Sequence, residues 1–515
     1  MSTELTRLPE SYWLASTPTT DYPTLDDNIY VDVAVIGGGL AGISTAWMLK
    51  QAGVKVAVLE ADRICQGTTG HSTAKITSQH SLIYDQIWTE FGEEMARQYA
   101  EANETAVQTM AEIIEQQEID CDFQWQPAYV YTQQDKYVPK LEKEARAATK
   151  LGIKAEFVKQ LDLSFDVKAA LRFDNQAQFH PRKYVLALAE MIPGSGCAIF
   201  ENTRAVDIQE DTPHTITTKN GYTVTADEVV VASHFPFHDG LGIYFARMYP
   251  NRSYVLGVRT EDKLPPGMYV TAENPGRSLR SQRYKDGEMI LVAGEHHKTR
   301  QGEATMDHYR KLQEFAEASF TVQDIPYRWS TQDYTTIDNI PYIGQVRSSS
   351  AGVYVATGFR KWGISTSTVS ALLIKDSIVN GSSPWQDVFS PQRKINLKSV
   401  GELARTNINV AGQLIGGKLN FPGGDIDVKR GEGKIVIIDG QRLGAYRDEQ
   451  GKLHTVDITC PHMGCELKWN SGEKTWDCPC HGSRFTWEGD IVEGPAFHGL
   501  HHQSQGANEV ELDLL

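Results

Sequence analysis

The feature that most constrains this chain is a pair of short segments near its C-terminal end that are rich in cysteine and histidine. Residues 460–465 read CPHMGC, and residues 478–483 read CPCHGS. Four of the seven cysteines of the chain fall within these two segments. A thiolate and an imidazole from each segment suit a mixed cluster, in which two cysteines hold one iron of a [2Fe-2S] unit and two histidines hold the other. We therefore expect a metal site with Cys460, His462, Cys478 and His481 as ligands.

Two other interpretations of these segments stay open at this point. Structural zinc takes four cysteine or histidine ligands, and its first two cysteines usually lie about two to four residues apart. Here the first segment has a C-x-H spacing instead, and six candidate ligands are too many for one zinc. The third interpretation is chance clustering in an ordinary β domain, against which the concentration of cysteines argues.

At these residues the chain resembles a Rieske protein, because C-x-H-x-G-C and C-x-C-H-G-S look like the two Rieske boxes. The resemblance is to the disulfide-bearing subclass of cytochrome bc complexes and not to the oxygenase subclass. It implies ligation by the four residues named above, a disulfide between Cys465 and Cys480, and a bond from the Ser483 hydroxyl to a cluster sulfide. High-potential members carry a tyrosine two residues after that serine, where this chain has Phe485. We therefore expect a potential below the top of the Rieske range.

Length and charge limit the possible organisation and partners. A chain of 515 residues suggests two or three domains, and its net charge of -16 argues against nucleic acid or an anionic membrane as a partner. Residues 1–18 do not read as a signal peptide, and no run of about 20 apolar residues predicts a membrane span. The cysteines outside the two segments, Cys65, Cys121 and Cys197, fit a reducing compartment, so we expect a cytoplasmic protein.

The N-terminal region carries a dinucleotide-binding pattern. Residues 31–36 (VDVAVI) predict a buried parallel strand, residues 37–42 read GGGLAG, and a helix and a second strand follow. Gly37 allows the tight turn, Gly39 lets a pyrophosphate approach the helix N-terminus, and Gly42 lets the helix pack on the strand. Glu60 ends the second strand, where it is placed to accept bonds from a ribose hydroxyl.

Two further segments favour FAD over NAD. Residues 67–75 (GTTGHSTAK) are small, polar and glycine-rich, which suits contact with the rest of a long cofactor. Residues 357–365 (TGFRKWGIS) follow a predicted strand and open a helix, whose N-terminus would stabilise negative charge on a reduced flavin. With residues 338–344 (DNIPYIG), these places resemble the FAD-dependent D-amino-acid oxidase and sarcosine oxidase family over about residues 30 to 385. The resemblance implies bound FAD.

The predicted cofactor contacts follow from these motifs and from the family resemblance. They are Gly37, Gly39, Gly42, Glu60, Thr68, Thr69, His71, Val206, Gly358, Lys361, Trp362, Gly363 and Ile364. Val206 stands where the family lays backbone against adenine. The loop at His71 resembles the one through which dimethylglycine and sarcosine dehydrogenases attach FAD to a histidine, and a histidine that only lines the loop is the simpler alternative. No catalytic residue is assigned, because His180, His234, His296 and His297 are each more often a surface or satisfied core histidine than a catalytic one.

The predicted fold is an α/β FAD-binding (Rossmann-like) domain with an antiparallel-sheet substrate domain, followed by a small all-β Rieske domain. The flavin region covers residues 1–390, with its FAD part at about 30–110, 176–238 and 335–385 and its substrate part at about 111–175 and 239–334. A long helix is expected around residues 87–99. Glycine, serine and proline mark a boundary at residues 381–391. A linker at 391–418 and the Rieske domain at 419–515 complete the chain.

Together the two sites predict a dehydrogenase. FAD would oxidise a small organic substrate, for which the family resemblance suggests an amine or amino acid, and the cluster would pass the electrons singly to an external acceptor, expected to be a protein. Arg360 and Lys361 could hold a substrate anion or bond the flavin ring, and the second role is favoured. The alternatives are an NAD(P)H-driven reductase that feeds a partner oxygenase, which would need a second nucleotide fingerprint, and a non-catalytic redox sensor.

Overall fold

The computed structural model describes residues 8–238, 242–302, 304–347, 349–394, 396–419, 427–438 and 440–501. The chain divides into two units. The first consists of Met1–Lys298 and Asp307–Thr406, and the second of Thr299–Met306 and Asn407–Leu515. A segment from within the first unit's sequence is therefore part of the second unit.

The strands of the first unit build two sheets. In chain order they are β1 (Ile29–Ile36), β2 (Val56–Leu59), β3 (Lys75–Ile76), β4 (Gln124–Thr132), β5 (Ala155–Val158), β6 (Ala169–Gln178), β7 (Ala198–Phe200), β8 (Ala205–Gln209), β9 (His214–Thr218), β10 (Thr223–Val231), β11 (Met248–Thr260), β12 (Met268–Thr271), β13 (Arg277–Tyr284), β14 (Gly287–Lys298), β15 (Val322–Thr336), β16 (Tyr342–Gln345) and β17 (Val353–Thr357).

The helices of the first unit pack on these sheets and connect their strands. They are α1 (Tyr12–Ala15), α2 (Leu40–Gln51), α3 (Tyr84–Phe91), α4 (Glu93–Gln116), α5 (Val138–Lys150), α6 (Pro181–Glu190), α7 (Tyr244–Arg247), α8 (Thr305–Ser319), α9 (Gly363–Asn380) and α10 (Gln386–Phe389). Short 3₁₀ helices cover Thr68–His71 and Asp135–Tyr137. The expected long helix around residues 87–99 is two helices, because Gly92 has a φ of 91° and ends α3 before α4 begins.

The first sheet is mainly parallel and has the order β16-β17-β10-β1-β2-β7, with the β8–β9 hairpin attached to β10. β1 pairs in parallel with both β2 and β10, and β10 pairs in parallel with β17. Its central strand is buried on both faces, as the uninterrupted apolar run at residues 33–36 predicts. Helices α2 and α9 begin directly after β1 and β17, so both helix N-termini follow strand ends of the same sheet.

The second sheet has the order β15-β11-β14-β13-β12-β4-β6-β3, and β5 is attached to β6. Its pairs are antiparallel except for β4 and β12, which run in parallel. One large apolar cluster includes side chains from both sheets, such as Val35 of β1, Val255 of β11 and Leu291 of β14. The two sheets of the first unit are therefore parts of one packed body.

In its described residues, the second unit is all-β apart from the first two residues of α8 and helix α11 (Leu397–Leu419), which begins in the first unit. Its described strands form two antiparallel sheets: β18 (Gly433–Ile438), β19 (Gln441–Arg447) and β20 (Leu453–Asp457) in one, and β21 (Lys468–Asn470), β22 (Thr475–Asp477), β23 (Arg484–Thr486) and β24 (Ile491–Glu493) in the other. The predicted fold class is thus confirmed. Within the described part of the chain, every helix is too short or too polar to cross a bilayer.

Candidate flavin and iron–sulfur sites

The glycine turn after β1 has room for backbone only. Gly37 has a φ of 115°, and a Cβ there would lie 2.5 Å from the Ala232 carbonyl oxygen. A Cβ on Gly42 would lie 1.8 Å from the Gly37 carbonyl oxygen, so α2 packs directly on the turn. Gly39 is the N-cap residue of α2 and has no side chain that could hydrogen-bond the helix N–H groups. A Cβ at this position would meet only the Thr69 Oγ1, at 3.4 Å. The open backbone at this helix N-terminus fits a pyrophosphate.

Glu60 closes this turn from the end of β2. Its Oε2 accepts the Gly38 N–H at 2.6 Å, and its Oε1 accepts the Asp62 N–H at 2.9 Å. Burial raises the pKa of Glu60 above its ordinary value, against the lowering effect of these two bonds. Each carboxylate oxygen keeps a further acceptor site, so the predicted bond to a ribose hydroxyl stays a prediction.

The 3₁₀ turn Thr68–His71 joins the glycine turn to the second sheet. The Thr69 Oγ1 accepts the N–H of Leu40, the first residue of α2, at 3.0 Å. The Thr68 Oγ1 lies 3.3 Å from the Gln332 carbonyl oxygen and 3.4 Å from the His234 Nε2. Both predicted threonines therefore lie at the junction of the two sheets.

His71 belongs to the same turn. Its Nδ1 lies 2.9 Å from the Gly67 carbonyl oxygen, and its own carbonyl oxygen accepts the Trp329 Nε1–H at 2.8 Å. The ring is thus oriented by its own loop, and the backbone is held by β15. Whether His71 lines the flavin or bonds it covalently stays a prediction.

The N-terminal segment, which sequence reasoning passed over as a polar lead-in, supports this loop from behind. The Ser11 Oγ donates to the Gly70 carbonyl oxygen at 2.5 Å, and the Trp13 Nε1–H donates to the Ser72 carbonyl oxygen at 2.8 Å. Trp13 is fully buried. The sequence feature that could have revealed this role is a serine followed directly by two aromatic residues. A serine is a common helix N-cap, and the aromatic side chains can be buried beside it.

The segment after β17 builds a second helix N-terminus. Gly358 has a φ of 74°, and a Cβ there would lie 2.5 Å from the Thr336 Cγ2. Helix α9 starts at Gly363 with Trp362 as its cap, and its first turn carries no acidic residue. The partial positive charge of this N-terminus suits an electron-rich flavin ring. Ile364 is buried in the first turn of this helix.

Trp362 is held by a histidine that the sequence did not single out. Its ring stacks on His80, with the ring centroids 5.1 Å apart and the planes at 20°. The His80 Nδ1 lies 2.6 Å from the Tyr99 hydroxyl, and its Nε2 lies 3.0 Å from the Ser365 Oγ. Burial lowers the pKa of His80 to about 3, so the ring is neutral. No local motif marked this residue, because its partners come from distant parts of the sequence.

Lys361 lies in the loop between β17 and α9 of the first unit. Its Nζ donates to the Ser253 Oγ of β11. The residue keeps an exposed surface, but desolvation by its surroundings, with a smaller effect of Arg360, lowers the pKa of its ammonium group. Burial also lowers the pKa of Arg360, and that of His296 to about 3, the latter with help from Lys361. Lys361 therefore lies near a second cation, Arg360, and near the neutral His296 imidazole, which favours an anionic or electron-rich ligand.

The structure brings most of the predicted flavin contacts together. The Thr68 hydroxyl lies beside His234, and the His234 carbonyl oxygen accepts the Thr357 Oγ1–H at 2.6 Å. His234 therefore connects the loop that contacts the start of α2 with the strand that leads to α9. Val206 lies further out, on β8, at a register shift between Ala205 and Asp207. The individual roles in FAD binding, including the contact of Val206 with adenine, stay predictions.

The two cysteine segments of the second unit converge on one point. The Cys460 and Cys478 side chains are both buried and are hydrogen-bonded to each other. The His462 and His481 rings lie with their centroids 5.0 Å apart and nearly perpendicular. Each loop is closed by its own backbone: the Cys460 N–H donates to the Cys465 carbonyl oxygen at 2.8 Å, and the Cys478 N–H donates to that of Ser483 at 2.7 Å.

A disulfide joins the two loops through Cys465 and Cys480, whose Cα atoms lie 6.5 Å apart. The sulfur atoms of Cys465, Cys478 and Cys480 all lie within 4.8 Å of one another. The sulfurs of a disulfide are not thiolate ligands. The thiols that remain to bind a metal here are Cys478 and Cys460, which is hydrogen-bonded to it. Two thiols beside two imidazoles form the donor set of a Rieske [2Fe-2S] cluster, so the residues present fit that group.

The titration behaviour of these groups suits metal binding. The hydrogen bond from Cys478 lowers the pKa of Cys460 to about 7, and the same bond raises the pKa of Cys478, so a metal that binds both sulfurs must displace the Cys478 proton. Burial lowers the pKa of His462, and burial together with His462 lowers the pKa of His481 to about 4. Both imidazoles are therefore neutral near pH 7, which is the form that binds metal.

The neighbours of the ligands lie in the same apolar core. The Ser483 hydroxyl bonds the Cys460 sulfur, and its oxygen also accepts the Ala496 N–H at 3.0 Å. Phe485 is fully buried and packs in the cluster of side chains that contains Cys460 and Cys478. The predicted bond from Ser483 to a cluster sulfide stays a prediction, and Phe485 brings no hydroxyl donor to the site.

Arg484 is a site residue that sequence reasoning missed. Its Nη2 lies 2.6 Å from the Glu473 Oε2, and its Nε lies 3.3 Å from the Asp477 Oδ1. The Asp477 side chain is fully buried, and this residue directly precedes the predicted ligand Cys478. This network fixes β22 to β23 beside the cluster loop. In the sequence, Asp477 directly precedes the second Rieske box and Arg484 directly follows Ser483. That these two residues pair could not be predicted without the register of β22 and β23.

Comparisons with known proteins agree with both sites. The family described as FAD dependent oxidoreductase (DAO) matches residues 32–377, and the Rieske [2Fe-2S] domain matches residues 423–503. The chain is similar to YhfW of Bacillus subtilis (strain 168), whose name refers to a Rieske 2Fe-2S iron-sulfur protein. The identity is 44% over 493 residues, which is 96% of this chain and 97% of YhfW.

Two further similarities concern the first unit. Gamma-glutamylputrescine oxidoreductase of Escherichia coli (strain K12) is 25% identical over 412 residues, covering 75% of this chain and 92% of the relative. The crystal structure of glycine oxidase from Geobacillus kaustophilus superimposes with a TM-score of 0.60 at 19% identity, covering 71% of this chain and all of the oxidase, which shows the fold. The cofactors of the two domains are FAD and a [2Fe-2S] cluster. The chain belongs to the FAD dependent oxidoreductase family and is a flavin enzyme that carries a C-terminal Rieske domain.

Proposed function

We propose that this enzyme is a dehydrogenase that oxidises a small amine or amino acid at its C–N bond and delivers the electrons one at a time to an external acceptor. One observation carries the proposal: a single chain combines a flavin fold with a Rieske donor set. Bound FAD supplies a two-electron acceptor, and the [2Fe-2S] cluster supplies a one-electron carrier. A chain with both is suited to convert one two-electron oxidation into two one-electron deliveries.

The substrate class rests on relatives and on the charged groups around Lys361. One relative is named for gamma-glutamylputrescine and one structural neighbour for glycine, and both names refer to amino compounds. Lys361 bonds Ser253 and lies near the neutral His296, and Arg360 is a second cation near Lys361. These cations support a substrate with a carboxylate or another negative group, or the flavin ring itself.

The overall reaction balances with the one-electron acceptor as oxidant. The substrate carbon gives up a hydride and its nitrogen gives up a proton, so that a C=N bond forms. Two electrons reduce two equivalents of the acceptor, and two protons pass to water. This chain's part is to hold the substrate, to exclude water and to keep the neighbouring bases neutral. Burial serves the last purpose, because it lowers the pKa values of His80 and His296 to about 3.

The acceptor side is supported by unequal exposure of the two histidines. His481 is 3% exposed, whereas His462 is partly exposed and is followed by Met463, which is 48% exposed. We propose that a one-electron acceptor, itself a protein, approaches the His462 side of the cluster. An exposed methionine beside the ligand suits such a contact, because its side chain adapts to different surfaces.

The test is an anaerobic titration of the purified protein with a panel of secondary amines and amino acids, and separately with NADH, followed by flavin absorbance. The proposed function predicts that an amine or amino acid bleaches the flavin and that NADH does not. With that substrate, the Cys478→Ser variant should bleach at the parent's rate but reduce a one-electron acceptor slowly.

Two outcomes would replace the proposal. Rapid bleaching by NADH alone would favour the reductase that feeds an oxygenase. If Cys478→Ser reduced the acceptor as fast as the parent does, the cluster would lie off the electron path, and the redox sensor would be the better description.

A further inference from the structure

Gln301 lies in the segment Thr299–Met306, which belongs to the second unit although its sequence lies between β14 and α8 of the first. The Gln301 Nε2 donates to the Asn409 Oδ1 at 2.7 Å, and the Asn409 Nδ2 donates back to the Gln301 Oε1 at 3.2 Å. Asn409 is on α11. A reciprocal pair of this kind fixes the plane of the Gln301 amide, because turning either amide alone would place like groups together. The Pro479 carbonyl oxygen can only accept, so the end of the Gln301 amide that faces it is the nitrogen.

The second Nε2 proton of Gln301 is directed at the cluster loop. The Gln301 Nε2 lies 3.4 Å from the carbonyl oxygen of Pro479. Pro479 stands between the predicted ligand Cys478 and the disulfide residue Cys480, and it is buried. A residue remote in sequence thus donates to the backbone of the second Rieske box.

The bonded carbonyl belongs to a peptide unit that also contacts the ligand sulfur. The Pro479 C=O and the Cys480 N–H are the two ends of one amide, and that N–H donates to the Cys478 sulfur together with the N–H of His481. A hydrogen bond to the oxygen end of an amide polarises it and strengthens its N–H as a donor. Hydrogen bonds to ligand sulfurs stabilise the added electron and are one of the protein's means of setting the cluster potential.

The two segments that carry this contact are fixed to the second unit at other points. Val410 and Leu414 of α11 pack against the apolar core that contains the cluster cysteines. A Cβ on Gly472 would lie 2.7 Å from the Thr305 Cγ2, so the far end of the Thr299–Met306 segment is also in close contact. Gln301 is therefore held between two anchored elements.

We propose that Gln301 is a positioning residue for the Rieske cluster: oriented by Asn409, it binds the Pro479 carbonyl, strengthens the Cys480 N–H bond to the Cys478 sulfur, and thereby raises the reduction potential. The consequence is that the flavin part of the sequence contributes a determinant of the cluster's potential. The inference concerns the cluster alone and holds whatever the substrate is.

The test compares Gln301→Met with Gln413→Met in the full-length holoprotein. Methionine keeps the length of glutamine and removes the donor. The Gln413 Oε1 bonds the Lys468 Nζ at 3.2 Å in the same unit, so its variant controls for the loss of one side-chain bond. Protein-film voltammetry should give a lower potential for Gln301→Met and the parent's potential for Gln413→Met. The paramagnetic resonance spectrum of the reduced cluster should change its g values in the first variant only.

Asn409→Leu is the second variant, because it leaves the donor in place and removes what orients it. It should lower the potential by less than Gln301→Met, and it should add nothing in the Gln301→Met background, since both act through one contact. Equal potentials for Gln301→Met and the parent, or equal shifts for Gln301→Met and Gln413→Met, would overturn the inference. If Gln301→Met failed to hold iron, an unshifted potential in Asn409→Leu would overturn it as well.

Discussion

The two cofactor regions of this chain are built in opposite ways. The flavin region is made largely of backbone: glycines at positions 37, 42 and 358 leave no room for a Cβ, and two helix N-termini receive no hydrogen bond from the side chain of their N-cap residue. The cluster region is made of side chains that come from two loops within residues 460–483. Its four donors are held by a disulfide and by an apolar core that includes the cysteines themselves.

The difference follows from what each cofactor needs. FAD is long and is bound through many weak contacts, so its site is assembled from the ends of several strands, and removing one contact leaves the others. A cluster is bound through a few strong bonds to thiolates and imidazoles, so each ligand is necessary. Substitutions of the cluster ligands should therefore act in an all-or-none manner, and substitutions in the flavin region in proportion to the steric or electrostatic damage.

The largest effect expected is that of Cys478→Ser. It removes one thiol and leaves the Cys465–Cys480 disulfide intact. We expect complete loss of iron, sulfide and the paramagnetic resonance signal, with the flavin content per chain unchanged. Metal analysis and the visible spectrum of the purified variant measure both. A variant that kept its iron would show that the ligand set is different, and Cys197→Ser, which changes a cysteine of the first unit, should behave as the parent does.

Gly42→Val should have the converse effect. A Cβ at this position would lie 1.8 Å from the Gly37 carbonyl oxygen, so the cost should exceed the about 1–3 kcal/mol typical of overpacking. We expect the protein to lose its flavin and to keep its cluster signal. Gly287→Ala is the matched control, since a Cβ there meets nothing within 4 Å. If the valine variant kept its full flavin content, the glycine turn would not be the pyrophosphate site.

Asp338→Asn should weaken the first unit without emptying it. Asp338 makes a bidentate pair with Arg393, both bonds measuring 2.7 Å, and both side chains are almost fully buried. Removing one partner leaves a buried charge uncompensated, which costs about 3–5 kcal/mol. Denaturant unfolding monitored by flavin fluorescence should report this loss.

The same pair predicts a dependence on pH. Burial alone would raise the pKa of Asp338, but Arg393 lowers it below the ordinary value of 3.8. The stabilisation is therefore fully present above about pH 4 and is lost as the pH falls through the lowered pKa. The difference between parent and variant should shrink in acid. Asp307→Asn, which breaks the exposed pair with Arg310, should change stability by no more than about 1 kcal/mol, and an equal loss there would contradict the argument.

The smallest effect expected is that of Phe485→Tyr. Phe485 packs in the same buried core as Cys460, and a hydroxyl at the ring tip could donate to that sulfur. We expect an upward shift of the cluster potential in voltammetry, within the range of roughly -150 to +300 mV that Rieske centres span. Phe157→Tyr in the first unit should leave the potential unchanged. An unchanged or lower potential in Phe485→Tyr would mean that its ring does not face the ligand sulfur.

Local chemistry made the cluster and the dinucleotide turn predictable. The donors at Cys460 and His462 lie within three residues, as do those at Cys478 and His481 within four, so loop closure alone keeps each pair together. In the same way, the turn at Gly37 depends on neighbours in sequence: β1 ends just before it, and α2 and then β2 follow it in the chain.

The remaining features depended on contacts between residues far apart in the chain. Trp13 stabilises the loop at Ser72, His80 stacks on Trp362, and Gln301 reaches Pro479. Each of these pairs is separated by at least 59 positions, and the residue types involved are common at surfaces and in cores alike. The sequence by itself determined which cofactors the chain can hold, because ligand types and glycine positions are local properties. Only the tertiary structure decided how those sites are supported, because packing and strand register choose partners that no spacing in the sequence encodes.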